Sequence, residues 1–180
     1  MMDKKKSADT RPSRVKRTNK YLNLIEDYFQ SIELRYGKEK TKDGGFMLMG
    51  VMGGYKGIFT TFTFIIRIGD DAVRGYALLP FSISEDRRQV VAELITRINY
   101  RLKFGKFLMD FNDGEVRFQV AFPPEVLEHA PKRIAEQLLY LPLGMIRDWV
   151  DAFDEVARRF KTPKGIVNQT LRKIGMRVGT

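Results

Sequence analysis

Three groups of residues in this 180-residue chain have types and spacings that could do chemistry. The first is Gly50-Val51-Met52-Gly53-Gly54-Tyr55-Lys56-Gly57, where glycine amides beside a lysine suggest a phosphate cradle. A phosphate loop of that kind needs the lysine directly after its last glycine, then a Ser or Thr and a helix. Here Tyr55 intervenes, Gly57 follows and the next residues are strand-like, so the segment reads as a turn between strands. Gly54-Tyr55-Lys56-Gly57 also fits the loose GxxG loop that clamps nucleic-acid backbones, but the flanking strands argue against that use too. The second group is Asp110, Asp113 and Glu115, whose carboxylates could hold a hard cation or serve as acid and base. Asp113 is already explained by the turn it makes with Gly114, and Asp110 and Glu115 fall on the polar side of alternating strands. The third is His129, the only histidine, beside Ala130-Pro131 at a helix approach, where a surface or capping role is expected.

The absence of cysteine removes disulfides, thiolate nucleophiles and Cys-ligated metals, and fits a reducing compartment. With one imidazole, a multi-histidine zinc site is excluded. No cofactor or metal is expected, and an enzyme is the least favoured class.

The elements that would position these residues follow from periodicity. Tyr21, Leu24, Ile25, Tyr28, Phe29 and Ile32 have amphipathic helical spacing, predicting a helix that ends near Tyr36-Gly37. Phe46 to Met52 is an apolar run. After the Gly53–Gly57 turn, Phe62, Phe64, Ile66 and Ile68 alternate on one strand face. Gly75 to Ile83 predicts a third strand, with Pro80 tolerable only at an edge or end. Ser84 as N-cap, followed by Glu85 and Asp86, opens a second helix carried by Val90, Val91, Leu94, Ile95, Ile98 and Leu102. Phe107, Met109 and Phe111, then Asn112-Asp113-Gly114, then Val116, Phe118, Val120 and Phe122 spell a hairpin. Pro123, Pro124 and Pro131 break the path; helical patterns resume on either side of Pro142, and Ile146, Trp149, Val150, Phe153 and Val156 mark a well-formed amphipathic helix. Val167, Leu171, Ile174 and Val178 suggest a further short basic helix. The expected class is α+β: helix, three-stranded antiparallel meander, helix, hairpin, C-terminal helices.

Charge is distributed unevenly. Residues 1 to 20 hold eight Lys/Arg against two Asp, residues 161 to 180 hold five and no acid, and the segment between them is nearly neutral. The expected organisation is a basic disordered arm over 1–20, a single α+β domain over 21–160 and a basic tail over 161–180. Lys4, Lys5, Lys6, Arg11, Arg14, Lys16, Arg17 and Lys20, with Arg172, Lys173 and Arg177, are the candidates for binding a polyanion such as nucleic acid. Phe59 and Ile65 are expected on the strand face opposite Phe62 and Phe64. With Trp149 and Phe153 they are the candidates for a dimer or partner surface. The basic start lacks the apolar stretch of a secretory signal, and Phe46 to Tyr55 is too short and glycine-rich to span a bilayer, so no transmembrane segment is expected and a cytoplasmic location is.

The segment from Ala92 through Asn99, Tyr100, Gly105 and Phe107, continuing as Met109-Asp110-Phe111-Asn112-Asp113-Gly114-Glu115-Val116-Arg117-Phe118, resembles the bacterial YbjN family. There a helix ending in Asn and a Gly precedes a strand, an Asp-Gly-Glu-type hairpin and a return strand. The resemblance covers about residues 21 to 160. It implies a type III secretion chaperone-like fold, a role among candidate sensory-transduction regulators, and dimerisation and polypeptide binding as in fold relatives, with no catalytic residue. The combined expectation is a non-enzymatic protein-interaction module with regulatory or chaperone-like output, acting as a homodimer with a further protein partner unidentified. The alternative is a nucleic-acid-associated protein that binds through its basic ends.

Overall fold

In a computed structural model, residues 14–53, 57 and 59–175 are described, those at 14 and 15 by their backbone only. The chain is α+β, as expected. Helix α1 spans Arg14–Ser31 and is followed by strands β1 (Gly37–Lys40), β2 (Phe46–Met52), β3 (Phe62–Ile68) and β4 (Val73–Leu78). A 3-10 turn at Glu85–Arg87 leads into α2 (Arg88–Asn99), then β5 (Lys106–Met109), β6 (Val116–Phe122), the short α3 (Val126–His129), the long α4 (Pro131–Ala157) and α5 (Pro163–Lys173). The six strands form one antiparallel sheet in the order β1-β2-β3-β4-β6-β5. The expected meander and hairpin are both present, joined by the β4–β6 pairing.

One sheet face is the core. Leu48, Phe62, Phe64, Ile66, Ile68, Val73, Ala77, Phe107, Val116, Phe118 and Val120 are buried on it, with β3, β4 and β6 burying alternate residues. Helix α4 crosses this face over β3, β4 and β6, with α1 beside it and α2 and α5 against its other flank. Trp149, Phe153, Leu138, Leu139, Ile146 and Val156 fill the space between α4 and its neighbours.

Helix α4 is continuous through Pro142, where the sequence suggested a break between two helices. Proline has no N–H to give the carbonyl four residues earlier, that of Leu138. This carbonyl lies against Gly75 of β4, where an added Cβ would stand only 2.0 Å from the Leu138 oxygen. The helix therefore runs on because its proline sits in the buried interface, where tertiary packing outweighs local propensity.

Other differences have equally local causes. Helix α1 is already formed at Arg14, ahead of Tyr21, so Lys16, Arg17 and Lys20 are helical, and Thr18 is buried among them. It ends early because Glu33 takes a left-handed conformation (φ 53°) and the Leu34 N–H turns back to the Phe29 carbonyl at 2.9 Å. Strand β1, Gly-Lys-Glu-Lys, carries no apolar residue and is exposed throughout, which is why no periodicity announced it. Ser84 makes no side-chain capping bond. The 3-10 turn is tied down instead by Arg87, whose guanidinium donates to the Val156 carbonyl at 2.7 Å and stacks 4.5 Å from the Phe160 ring centre.

A methyl group at position 75 would meet helix backbone, which cannot step aside. Gly75→Ala should cost about 1–3 kcal/mol of stability, read as a fall in urea midpoint; an unchanged midpoint would show that the layers are not held at this distance. Three tyrosines at the α1 layer add a pH dependence. Burial raises Tyr21, Tyr28 and Tyr36, with hydrogen bonds to Glu128, Tyr140 and Glu26 respectively adding to it, and Tyr36 is pushed up to about 12. Since these folded values exceed the unfolded value of about 10, their contribution is complete below that pH and is lost as pH rises toward 12. Melting temperature should therefore fall between about pH 10 and 12, and Tyr36→Phe should flatten part of that fall.

Candidate interaction surface

The sequence-derived carboxylates are accounted for by the hairpin they build. Asp110 Oδ1 accepts from the N–H and the side-chain amide of Asn112 at 2.8 and 2.9 Å, and Asp113 Oδ1 accepts from the Glu115 N–H at 2.8 Å. The loop closes with the Asp110 N–H donating to the Glu115 carbonyl (2.9 Å). Gly114 sits at φ 75°, where a Cβ would strike the Ile83 carbonyl. Glu115 pairs with Arg117 at 3.1 Å. His129 is exposed at the end of α3. Among the described residues, no group of three or more His, Asp or Glu side chains is placed to hold a metal ion, and no helix is long and apolar enough to cross a membrane. Tyr55 and Lys56 of the glycine-rich turn lie outside the described residues.

The second face of the sheet carries the larger feature. Register places Val51, Thr63, Leu78, Arg117 and Leu108 in one row across it. Met49, Ile65, Tyr76 and Gln119 form the next row, and Met47, Arg67 and Arg74 the third. Met49 is 44% exposed and Val51 63%, while Met47, Ile65, Tyr76 and Leu78 are half-buried by one another. Cations frame this apolar centre and each is held. Arg74 donates to Asp71 at 2.7 Å, Arg67 lies 3.6 Å from Asp43, and the Arg117 guanidinium rests 5.7 Å from the Tyr76 ring centre. The hydrogen bond from Arg74 holds the Asp71 carboxyl below its usual range.

Of the four residues expected on a partner surface, the structure leaves one there. Ile65 lies in the middle row of the open face. Phe59 precedes β3 and so belongs to neither face of it; its half-buried ring packs on Phe81 at 5.4 Å. Trp149 and Phe153 are fully buried, Phe153 against Phe107 at 5.2 Å, because α4 turns its apolar stripe to the sheet. Met47, Met49, Val51, Tyr76 and Leu78 complete the open face. Their alternation with Leu48 and Ala77 was the signal for it.

The basic candidates are similarly dispersed. Lys4, Lys5, Lys6, Arg11 and Arg177 lie outside the described residues, and Arg14 is placed by its backbone alone. Lys16, Arg17 and Lys20 ride on α1, and Lys20 pairs with Glu128 at 2.8 Å. The segment expected as a tail is largely α5, packed through Ile166, Val167 and Leu171 onto α2 and α4. Arg172 and Lys173 sit in its last turn, with Lys173 bound to Asp151 at 2.9 Å.

The edges of the sheet are both guarded. β1 is short and charged. At β5, the Asn99 side chain donates to the Phe107 carbonyl (3.0 Å) and accepts from the Phe107 N–H (2.8 Å), taking up the strand's outward backbone groups. Gly105, which lets the chain turn from α2 into β5, has φ 72° and lies against the Phe118 ring.

These features define an α+β protein with one antiparallel sheet, a helical layer on one face and an apolar second face. The family model of YbjN, a putative bacterial sensory transduction regulator, matches residues 21–130, and the chain belongs to that family. No curated protein and no solved structure gives a match. The match takes in the whole sheet and the Asn99 clamp and stops before α4.

Replacing Asn99 by Ala strands two backbone groups at once. Asn99→Ala should cost about 1–3 kcal/mol in urea unfolding, and Asn99→Asp should not rescue it, because a carboxylate cannot donate to the Phe107 carbonyl. Full stability in Asn99→Asp would refute the clamp.

Proposed function

We propose that the protein is a non-enzymatic regulatory module that works by burying the open sheet face against another polypeptide, in the first place a second copy of itself. The observation that carries this reading is the continuous apolar centre of Met49, Val51, Ile65, Tyr76 and Leu78, framed by arginines already neutralised by Asp43, Asp71 and Glu115. A surface of this make-up gains from being covered, since the apolar centre supplies the free energy and the paired cations need not lose their partners. With one edge strand charged and the other clamped by Asn99, a partner is directed to the face and not to strand addition. The regulator description of the family supports the regulatory role. A chaperone-like output would follow if a partner polypeptide can take the place of the second copy. The Cys-free sequence supports action in a reducing cytoplasm.

Sedimentation of the full chain at tens of micromolar should show a dimer. Ile65→Glu and Val51→Glu, at half-buried and exposed positions, should leave the fold intact by circular dichroism and weaken association at least about tenfold. A wild-type protein that stays monomeric, or variants that dimerise as well as it does, would remove the face from consideration.

A further inference from the structure

The cations of the carboxyl-terminal segment are brought by the fold to a second surface. Helix α5 packs on α2 through buried Val167 and Leu171, and the two leave between them a groove of ≈ 460 Å³ walled by Arg97, Tyr100 and Arg101 on one side and Lys164 and Asn168 on the other. Among the described residues, no carboxylate lines it. The sequence explains why: from Leu94 to Met109 there are four Lys/Arg and no acid, and after Glu155 there are seven and no acid. Glu93 reaches Arg97 at 2.7 Å and offsets that charge, while Arg101 and Lys164 place a cation on each of the two walls.

Tyr100 gives the surface a second character. At 84% exposure it is the most exposed large apolar side chain among the described residues, and the Arg101 guanidinium lies 5.7 Å from its ring centre. An exposed aromatic beside cations offers a π-face and a phosphate contact within one nucleotide's reach. Exposed Lys103 and Lys106 follow Arg101 in sequence, and exposed Lys161 precedes Lys164.

We infer that the α2–α5 groove binds a single-stranded polynucleotide, with a base stacked on Tyr100 and its flanking phosphates on Arg101 and Lys164. A duplex keeps its bases stacked on one another and would meet the cations alone. An acidic peptide would likewise use the cations and leave the ring idle. This inference is independent of the open sheet face and also differs from binding through unstructured basic ends, since the residues it names belong to packed helices.

Fluorescence anisotropy with a labelled oligothymidylate of about a dozen nucleotides, titrated with the full chain between about 50 and 200 mM salt, tests it. Tyr100→Ala, at a position too exposed to matter for folding, should weaken binding on the order of tenfold while Tyr100→Phe retains it. Lys164→Glu should weaken binding and lower the slope of log affinity against log salt by roughly 0.7. Lys40→Glu, the same charge change on the β1 edge, should do much less. The inference is overturned by any of four results: no binding, a Tyr100→Ala variant that binds like the wild type, equal losses in Lys164→Glu and Lys40→Glu, or equal displacement of the strand by polyglutamate, which would assign the groove to an acidic polypeptide.

Discussion

The contact between the Leu138 carbonyl and Gly75 sets the distance between the two layers of this protein. A helix can approach a strand this closely only where the strand has no Cβ, and β4 supplies that position at its third residue. Pro142, one turn further along α4, withholds the N–H that the Leu138 carbonyl would otherwise accept. The crossing point thus joins a residue with no side chain to a carbonyl with no helical donor. Trp149, Phe153, Phe107 and Phe118 are among the largest fully buried side chains of the core. Helices α1, α2, α3 and α5 all pack against α4, so their positions on the sheet inherit the depth fixed at Gly75.

What was legible in the sequence was whatever has a period. The alternation of Phe62, Phe64, Ile66 and Ile68, and of Val116, Phe118 and Val120, specified both strands and the face they bury, because a one-residue slip would expose every one of these side chains. Aperiodic features stayed hidden. β1 is held by backbone pairing with β2 and by Lys38 reaching Glu26 of α1 at 2.9 Å, so its four residues carry no mark of burial. The first turns of α1 are largely basic and polar, and from Lys16 to Lys20 the small side chain of Thr18 is the one that is buried. Pro142 argued for a break on local grounds and was overruled by an interface no local rule can see. The candidate surface was legible at one residue: the strand period put Ile65 on the open face, whereas Trp149 and Phe153 share the apolar stripe of α4, and a stripe does not say whether its partner is the same chain or another.

Charge illustrates the same limit. Counting residues put the positive excess in two ends flanking a neutral middle, which is correct as arithmetic. The fold then incorporates much of the carboxyl-terminal excess into α5, whose apolar stripe of Ile166, Val167 and Leu171 seats its lysines and arginines beside those at the end of α2. Two segments far apart in sequence, each free of acids, become neighbours. A field that would be screened and diffuse on a solvated tail acquires fixed geometry when its charges are mounted on packed helices.

Asn99 connects these surfaces. Its amide holds the last turn of α2 to the backbone of Phe107, and Phe107 in turn packs on Phe118 at 4.9 Å and on Phe153 of α4. Tyr100 and Arg101 follow immediately, so the aromatic wall of the α2–α5 groove is anchored to the edge of the sheet through one side chain. Leu108, next to the clamped residue, belongs to the outermost row of the open face. Each surface is therefore built on the same short span of backbone, and the position of one is fixed relative to the other by a pair of hydrogen bonds that no hydrophobic contact could replace, since the Asn99 amide both donates to and accepts from the backbone of one residue.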